Sequence, residues 1–252
     1  HIEVASNYGG GGICAQSSGR FIMYGGEISN NSSAADGGGV NAWGGSAKLY
    51  GGTISGNTAT GDGGGICLNS NLTLSNDVSI TDNTAANGGG VYTKNSLTLS
   101  DNASISGNKA TTGNGGGVYC TGSWGDNTLT LSDSAKISNN TAAGDGGGIY
   151  IDMGYLAING GSLINNTSTG NGGGVYLGSS KKFQISGNIN IAGNKKGSNA
   201  NNIYLPKNKT ISIAGELIGT TPIGVTTEAP PDSSSYVRIA SGGTEYADPA
   251  KF

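Results

Sequence analysis

Charge is scarce in this 252-residue chain: only 12% of its residues are Asp, Glu, Lys or Arg, and the formal net charge is −3. The 13 basic residues are scattered, so the sequence has no electrostatic footprint for nucleic acid or an anionic membrane. No apolar run approaches the roughly 20 residues that a helix needs to cross a bilayer. Three cysteines, Cys14, Cys67 and Cys120, are an odd count at wide spacing and form no disulfide framework. Prolines number only 5, and the 49 glycines do not fall at every third position, which excludes collagen. The single histidine, His1, is terminal and cannot serve as a buried base. Residues His1 to Ser6 do not form a signal peptide. The chain opens directly into a repeat, so it is expected to be a segment of a longer protein.

What the sequence has is periodicity. A glycine run followed by a β-branched residue recurs, ending at Ile13, Val40, Ile66, Val91, Val118, Ile149 and Val175, and degenerates to Asn-Ala-Asn-Asn before Ile203. Successive spacings are 27, 26, 25, 27, 31, 26 and 28 residues. That is too short for a propeller blade of about 40–45 residues and suits one coil of a β-solenoid. A merely disordered Gly/Ser/Asn-rich chain has no need of aliphatic residues at fixed spacing.

Each coil holds three apolar patches with period-two alternation, as half-buried strands require. The first follows the glycines (Ile66 and Leu68, Ile149 and Ile151, Val175 and Leu177). The second is a Leu-Thr-Leu or its equivalent (Leu72 and Leu74, Leu97 and Leu99, Leu129 and Leu131, Phe183 and Ile185). The third is one aliphatic residue three before an asparagine, from Ile28/Asn31 through Ile54/Asn57, Ile80/Asn83, Ile105/Asn108, Ile137/Asn140 and Leu163/Asn166 to Ile191/Asn194. These patches predict an all-β fold: a right-handed single-stranded parallel β-helix of about eight coils of 25–31 residues, with three parallel sheets. Equivalent residues then stack about 4.7–4.9 Å apart. A single coil buries too little apolar surface to offset the ordering of its backbone, so stability must come from stacking.

The asparagine column is expected to turn inward at a corner, satisfying bent backbone and bonding the asparagine of the next coil. The Asp or Asn before each glycine run (Asp36, Asp62, Asn87, Asn114, Asp145, Asn171) has turn chemistry. Cys14 and Cys67 fall two coils apart, too far for a disulfide, and Cys120 faces inward. Residues 1–205 are assigned to the repeats. Residues 206–252, with Pro206, Pro222, Pro230 and Pro231 interrupting ladder pairing, are assigned to an irregular β cap.

The GGG-[I/V] and I-x-x-N alternation resembles the repeats of chlamydial-type polymorphic outer-membrane proteins, which carry GGA before Ile, Leu or Val together with FxxN. It is also similar to the Gly-rich β-helix repeats of large surface proteins of Gram-positive gut bacteria. The likeness covers residues 9 to 205. A third Gly stands where the family has Ala, and Ile mostly stands where it has Phe. The resemblance implies a bacterial cell-surface or secreted location, with adhesion as the usual role, and it transfers no catalytic residue.

Parallel β-helices also serve as polysaccharide lyases and glycoside hydrolases, so enzyme is the alternative function class. Hydrolases need paired carboxylates within about 5–9.5 Å. Asp36 with Asp62, and Asp101 with Asp133, occupy equivalent positions on neighbouring coils, but at sites that read as turns. Neither Arg20 nor Arg238 lies beside them. No nucleophile–base pair, metal-ligand spacing or phosphate loop is present, and no catalytic residue, metal or cofactor is assigned.

Two features stand out as candidate binding sites for a host or environmental glycan or glycoprotein. The residue after the post-glycine aliphatic must point outward, and from the fourth coil it is always tyrosine: Tyr92, Tyr119, Tyr150, Tyr176 and Tyr204. Such a strip can stack sugars or anchor a protein; simple strand preference for tyrosine is the competing explanation. The corner between the first two strands varies in length and gathers Trp43, Trp124, Asp126, Asp152 and Tyr155, with tolerated insertion as its competing explanation. An outward Thr/Ser array on the second sheet (Thr73, Thr98, Thr130) reads as ordinary strand surface. A mechanical stalk, monomeric within a larger surface protein, is the remaining reading.

Overall fold

The computed structural model describes residues 3–4, 10–16, 20–122, 127–179, 182–207, 209–218 and 222–228. Among these residues there is no helix; every regular element is a short strand. The chain winds as a parallel β-solenoid in which each strand pairs with its counterparts one coil before and one coil after. Ile66 lies between Val40 and Val91, Leu72 between Ala47 and Leu97, and Ile80 between Ile54 and Ile105. The expected columns therefore exist, in the expected register.

The number of sheets differs from expectation. There are four rather than three, with nine, eight, seven and nine strands. In the third coil they are represented by Ile66–Leu68, Leu72–Leu74, Ser79–Thr81 and Thr84–Ala85, called here the first to fourth sheets. The fourth sheet consists of two-residue strands just after the asparagine, too short to show alternation. Its signal in the sequence is the small residue two positions after each asparagine: Ala59, Ala85, Ala110, Ala142 and Ser168 are all buried.

Burial follows the column logic. The post-glycine aliphatics Val40, Ile66, Val91, Val118, Ile149, Val175 and Ile203 are wholly inaccessible, as are the isoleucines and Leu163 of the third sheet from Ile54 to Leu163. One continuous apolar core, shared between coils, runs the length of the stack.

The glycine run has a three-part explanation. Gly63 has φ +70°, the left-handed conformation that glycine adopts without strain. A Cβ on Gly64 would stand 2.5 Å from Gly89 O and 2.6 Å from Thr84 O, so the backbones approach too closely for any side chain. A Cβ on Gly65 would fall 2.9 Å from Ile80 Cγ2 and 3.1 Å from Asn83 Nδ2, inside the core. Bends elsewhere use Asn or Asp in the left-handed region, including Asn76, Asp101 and Asp133 at φ 53° to 57°.

The inner asparagines form one chain of hydrogen bonds. Asn57, Asn83, Asn108, Asn140 and Asn166 are completely buried. The Oδ1 of Asn108 accepts from both the backbone N–H and the side-chain Nδ2 of Asn83, each at 3.0 Å. Its own Nδ2 donates to Asn140 Oδ1 at 3.0 Å and to Ile80 O at 2.9 Å. The same pattern runs from Asn31 to Asn194 and ends on Asn202 Oδ1.

Beyond Leu205 the segment assigned to a cap still contributes strands to the ladder. Ile211–Leu217 pairs with Lys182–Gly187 through a register shift, and Val225–Thr227 pairs with Ile203–Leu205. Among the described residues one pairing is antiparallel, Lys195–Lys196 with Asn199–Ala200 in the last regular coil.

Candidate binding face

The outward column of the first sheet reads Cys14, Asn41, Cys67, Tyr92, Tyr119, Tyr150, Tyr176, Tyr204 and Thr226 in successive coils. All five expected tyrosines are therefore in one line. Their ring centroids are separated by 5.3, 4.8, 5.2 and 5.5 Å, close to the strand spacing. Tyr92–Tyr119 and Tyr119–Tyr150 meet edge to face, whereas Tyr150, Tyr176 and Tyr204 lie parallel within 4°. Each interior ring covers part of its neighbours, so the row presents ring edges and hydroxyls more than open faces.

Accessibility along this column is uneven, which corrects the expectation of a uniformly outward strip. Tyr119, Tyr150, Tyr176 and Tyr204 are half-buried, but Tyr92 is only 9% exposed and Asn41 and Cys67 only 3%. The Tyr92 hydroxyl is bonded to Thr121, and burial pushes its ionisation up to about 12. Burial also raises the pKa of Tyr119, Tyr150, Tyr176 and Tyr204, reinforced by nearby carboxylates. All five phenols thus remain protonated donors at neutral pH.

Two edge columns border the row. On one side lie the residues before the glycines. They form a hydrogen-bonded ladder in which Asp62 N–H donates to Asp36 Oδ1, Asn87 Nδ2 to Asp62 Oδ1, Asn114 N–H to Asn87 Oδ1, Asp145 N–H to Asn114 Oδ1 and Asn171 N–H to Asp145 Oδ1, at 2.6–2.9 Å. On the other side lies the corner, where backbone bonds align Asn69, Lys94, Thr121, Asp152 and Gly178. Asp152 is two residues past Tyr150 and bears electrostatically on Tyr119, Tyr150 and Tyr176. Glu228, next to the end of the row, bears on Tyr176 and Tyr204.

The corner residues are less unified. Trp43 ends the strand Val40–Trp43 in the second coil and is 43% exposed. The Lys94 ammonium lies 5.4 Å from the centre of its ring, a cation–π distance. Tyr155 opens the second-sheet strand Tyr155–Ile158, four coils further on, and is only partly exposed. Trp43 and Tyr155 therefore do not share a site. Trp124 and Asp126 lie outside the described residues. Two aromatic features escaped the sequence reading. Trp43 and Lys94 belong to one column two coils apart, visible once the coils are aligned. Tyr24 stacks on Tyr50 with centroids 5.4 Å apart, and the 26-residue separation of the two is one coil.

The paired aspartates have structural partners. Asp101 Oδ2 accepts from Asn76 N–H at 3.0 Å, and Asp133 Oδ2 from Asp101 N–H at 3.2 Å. Asp36 and Asp62 sit in the edge ladder described above. Among the described residues no three His, Cys, Asp or Glu side chains gather as a metal site. None of the three cysteines is in a disulfide; Cys14 is exposed, Cys67 and Cys120 are buried.

Comparison with known families fits this architecture. Residues 51–69, 77–94, 97–121 and 134–152 match the family model of the Chlamydia polymorphic membrane protein (Chlamydia_PMP) repeat. These four stretches are similar to that repeat and together cover about a third of the chain. All four include a third-sheet strand, the buried asparagine, the glycines and the first sheet of the next coil, and 97–121 begins one strand earlier, at Leu97–Leu99 of the second sheet; the pattern they share is the inner ladder and the glycine turn. The match leaves out residues 70–76 and 122–133, which include the second-sheet strands Leu72–Leu74 and Thr128–Leu131. No curated protein and no solved structure matches the chain.

Proposed function

We propose that this chain is a non-catalytic, extracellular module of a bacterial surface protein that attaches to a host or environmental glycan or glycoprotein through its tyrosine row. The observation that carries the reading is the unbroken line of partly accessible Tyr119, Tyr150, Tyr176 and Tyr204, at centroid steps of 4.8–5.5 Å, with buried Tyr92 continuing it at one end. Neither the inner ladder nor the core requires tyrosine at these outward positions, since Asn41 and Cys67 fill the same column in earlier coils. Protonated phenols combine rigid aromatic surface with hydrogen-bond donors, the combination that suits sugar hydroxyls. The repeat type supports placement at the cell surface, and the Asp pairs are engaged in turn ladders rather than aimed at a cleft.

The test is binding to a glycan and host-glycoprotein panel, comparing the native protein with Tyr119→Ala, Tyr150→Ala and Tyr176→Ala. Each substitution is expected to weaken the best binder by roughly five- to tenfold, in the range for an aromatic contact of about 1 kcal/mol or slightly more. Binding that is indifferent to all three removes the row from consideration. Release of reducing or unsaturated sugars from a polysaccharide by the native protein would overturn the non-catalytic reading.

A further inference from the structure

Resting on the tyrosine-row reading, we propose that the partner is a linear glycan bearing protonated amines, lying parallel to the solenoid axis between the two edge columns. The shape of the row argues for the direction. Five side chains repeat in one line at nearly constant steps, and neighbouring rings cover one another. A compact ligand can use only one or two such positions. A chain of repeating sugars can meet the same group at each coil.

Charge argues for the amine. Asp152 borders the row on the corner side, and Asp145 borders it on the glycine side. Glu228 stands at its far end, where Thr226 continues the column after Tyr204. All three carboxylates act on the hydroxyl of Tyr176. Asp145 is held by Asn171 N–H, and Glu228 accepts from Lys207 N–H at 2.7 Å. Asp152, two residues past Tyr150, is only half-buried and has no ion-pair partner among the described residues.

Among the described residues, Lys182 and Lys207 are exposed on the corner side of the last coils, but the charged groups that act on the Tyr176 and Tyr204 hydroxyls are carboxylates. Lys94 lies beside Tyr92 at the opposite end and is occupied by the Trp43 ring. The Lys196 ammonium is fixed on Asn171 Oδ1 at 2.8 Å, on the outer side of the glycine edge. Over Tyr150, Tyr176 and Tyr204 the surface therefore combines donor hydroxyls with a negative border. A chain carrying carboxylates or sulfates is repelled there, and one carrying ammonium groups is attracted.

Three oligosaccharide series of matched length test this: glucosamine oligomers, their N-acetylated counterparts and galacturonate oligomers, titrated calorimetrically at low salt and mildly acidic pH. The amine-bearing series is expected to bind about tenfold tighter than the neutral one and to lose that advantage at high salt. Affinity should rise with chain length until the row is spanned. Asp152→Asn should remove most of the amine preference, and Tyr150→Ala should weaken both series.

Galacturonate binding as tight as glucosamine binding overturns the proposal. So does an amine preference that Asp152→Asn does not alter. Tyr150-dependent binding without amine preference rejects the charge assignment but keeps the tyrosine row. Amine preference that is lost in Asp152→Asn yet indifferent to Tyr150→Ala rejects the row. Absence of binding in all three series refutes the amine-glycan partner and leaves the row to the wider panel.

Discussion

The buried asparagine chain gives the sharpest quantitative expectation. In Asn108→Ala, the Asn83 backbone N–H and one hydrogen of its Nδ2 lose their acceptor, and Ile80 O loses a donor. The site is wholly inaccessible, and a buried group left unsatisfied costs about 1–3 kcal/mol. Two orphaned donors, with Ile80 O, Ser106 O and Asn140 Oδ1 each losing one of their donors, therefore sum to about 4 kcal/mol. Asn108→Asp keeps the shape and the acceptor but places oxygen where Nδ2 now stands 2.9–3.0 Å from Ile80 O and Asn140 Oδ1. The carboxyl must then be protonated in the folded state, so its pKa is raised. Stability is retained below the unfolded carboxylate pKa of about 3.9 and is lost as pH rises through the raised folded value. Urea midpoints followed by circular dichroism at neutral and acidic pH read both effects; midpoints suit a repeat stack, which can unfold in parts. Asn190→Asp, at an exposed site, serves as the control and should shift stability by less than about 0.5 kcal/mol. If Asn108→Asp is as mild as Asn190→Asp, the amide chain does not hold the coils together as described.

Other expectations follow from the same columns. Gly64→Ala should destabilise by about 3 kcal/mol or more, because its Cβ would meet backbone oxygens at 2.5–2.6 Å, whereas Gly25→Ala, with nothing within 4 Å of the added carbon, should be near neutral in thermal melts. Native protein should react with a thiol reagent only at exposed Cys14, with Cys67 and Cys120 reacting after denaturation; rapid reaction of all three contradicts the burial pattern. Because burial raises the Tyr92 pKa from 10.0 to about 12, the folded state holds this proton where the unfolded state releases it. Stability should thus fall as pH rises from about 10 to about 12, less steeply in Tyr92→Phe, as followed by phenolate absorbance and denaturant midpoints.

Much of this architecture was legible because a solenoid turns sequence spacing directly into space. Once Ile66 and Val91 are aligned, so are Leu72 with Leu97 and Asn83 with Asn108, and the inner ladder follows from the chemistry of the amide. The tyrosine row was legible for the same reason, since an outward position in one coil is outward in the next. The fourth sheet was not, because Thr84–Ala85 is too short to alternate and its inward residue is only a methyl group. Burial of Tyr92 and Cys67 was hidden as well. It arises from neighbouring coils and edge columns rather than from strand alternation. The separation of Trp43 from Tyr155 could have been read by counting coils, but grouping them by corner type obscured it.

Everything rests on like positions standing one strand spacing apart, and an engineered disulfide measures that directly. Thr73, Thr98 and Thr130 are outward and paired in sequence on the second sheet. With Cys14→Ser to remove the exposed thiol, the pair Thr98→Cys and Thr130→Cys should oxidise readily, since neighbouring strands lie about 4.8 Å apart, within disulfide reach. The pair Thr73→Cys and Thr130→Cys, two coils apart at roughly 9–10 Å, should remain reduced. Crosslinking of the second pair in preference to the first, or of neither, would contradict the parallel register and with it the tyrosine face.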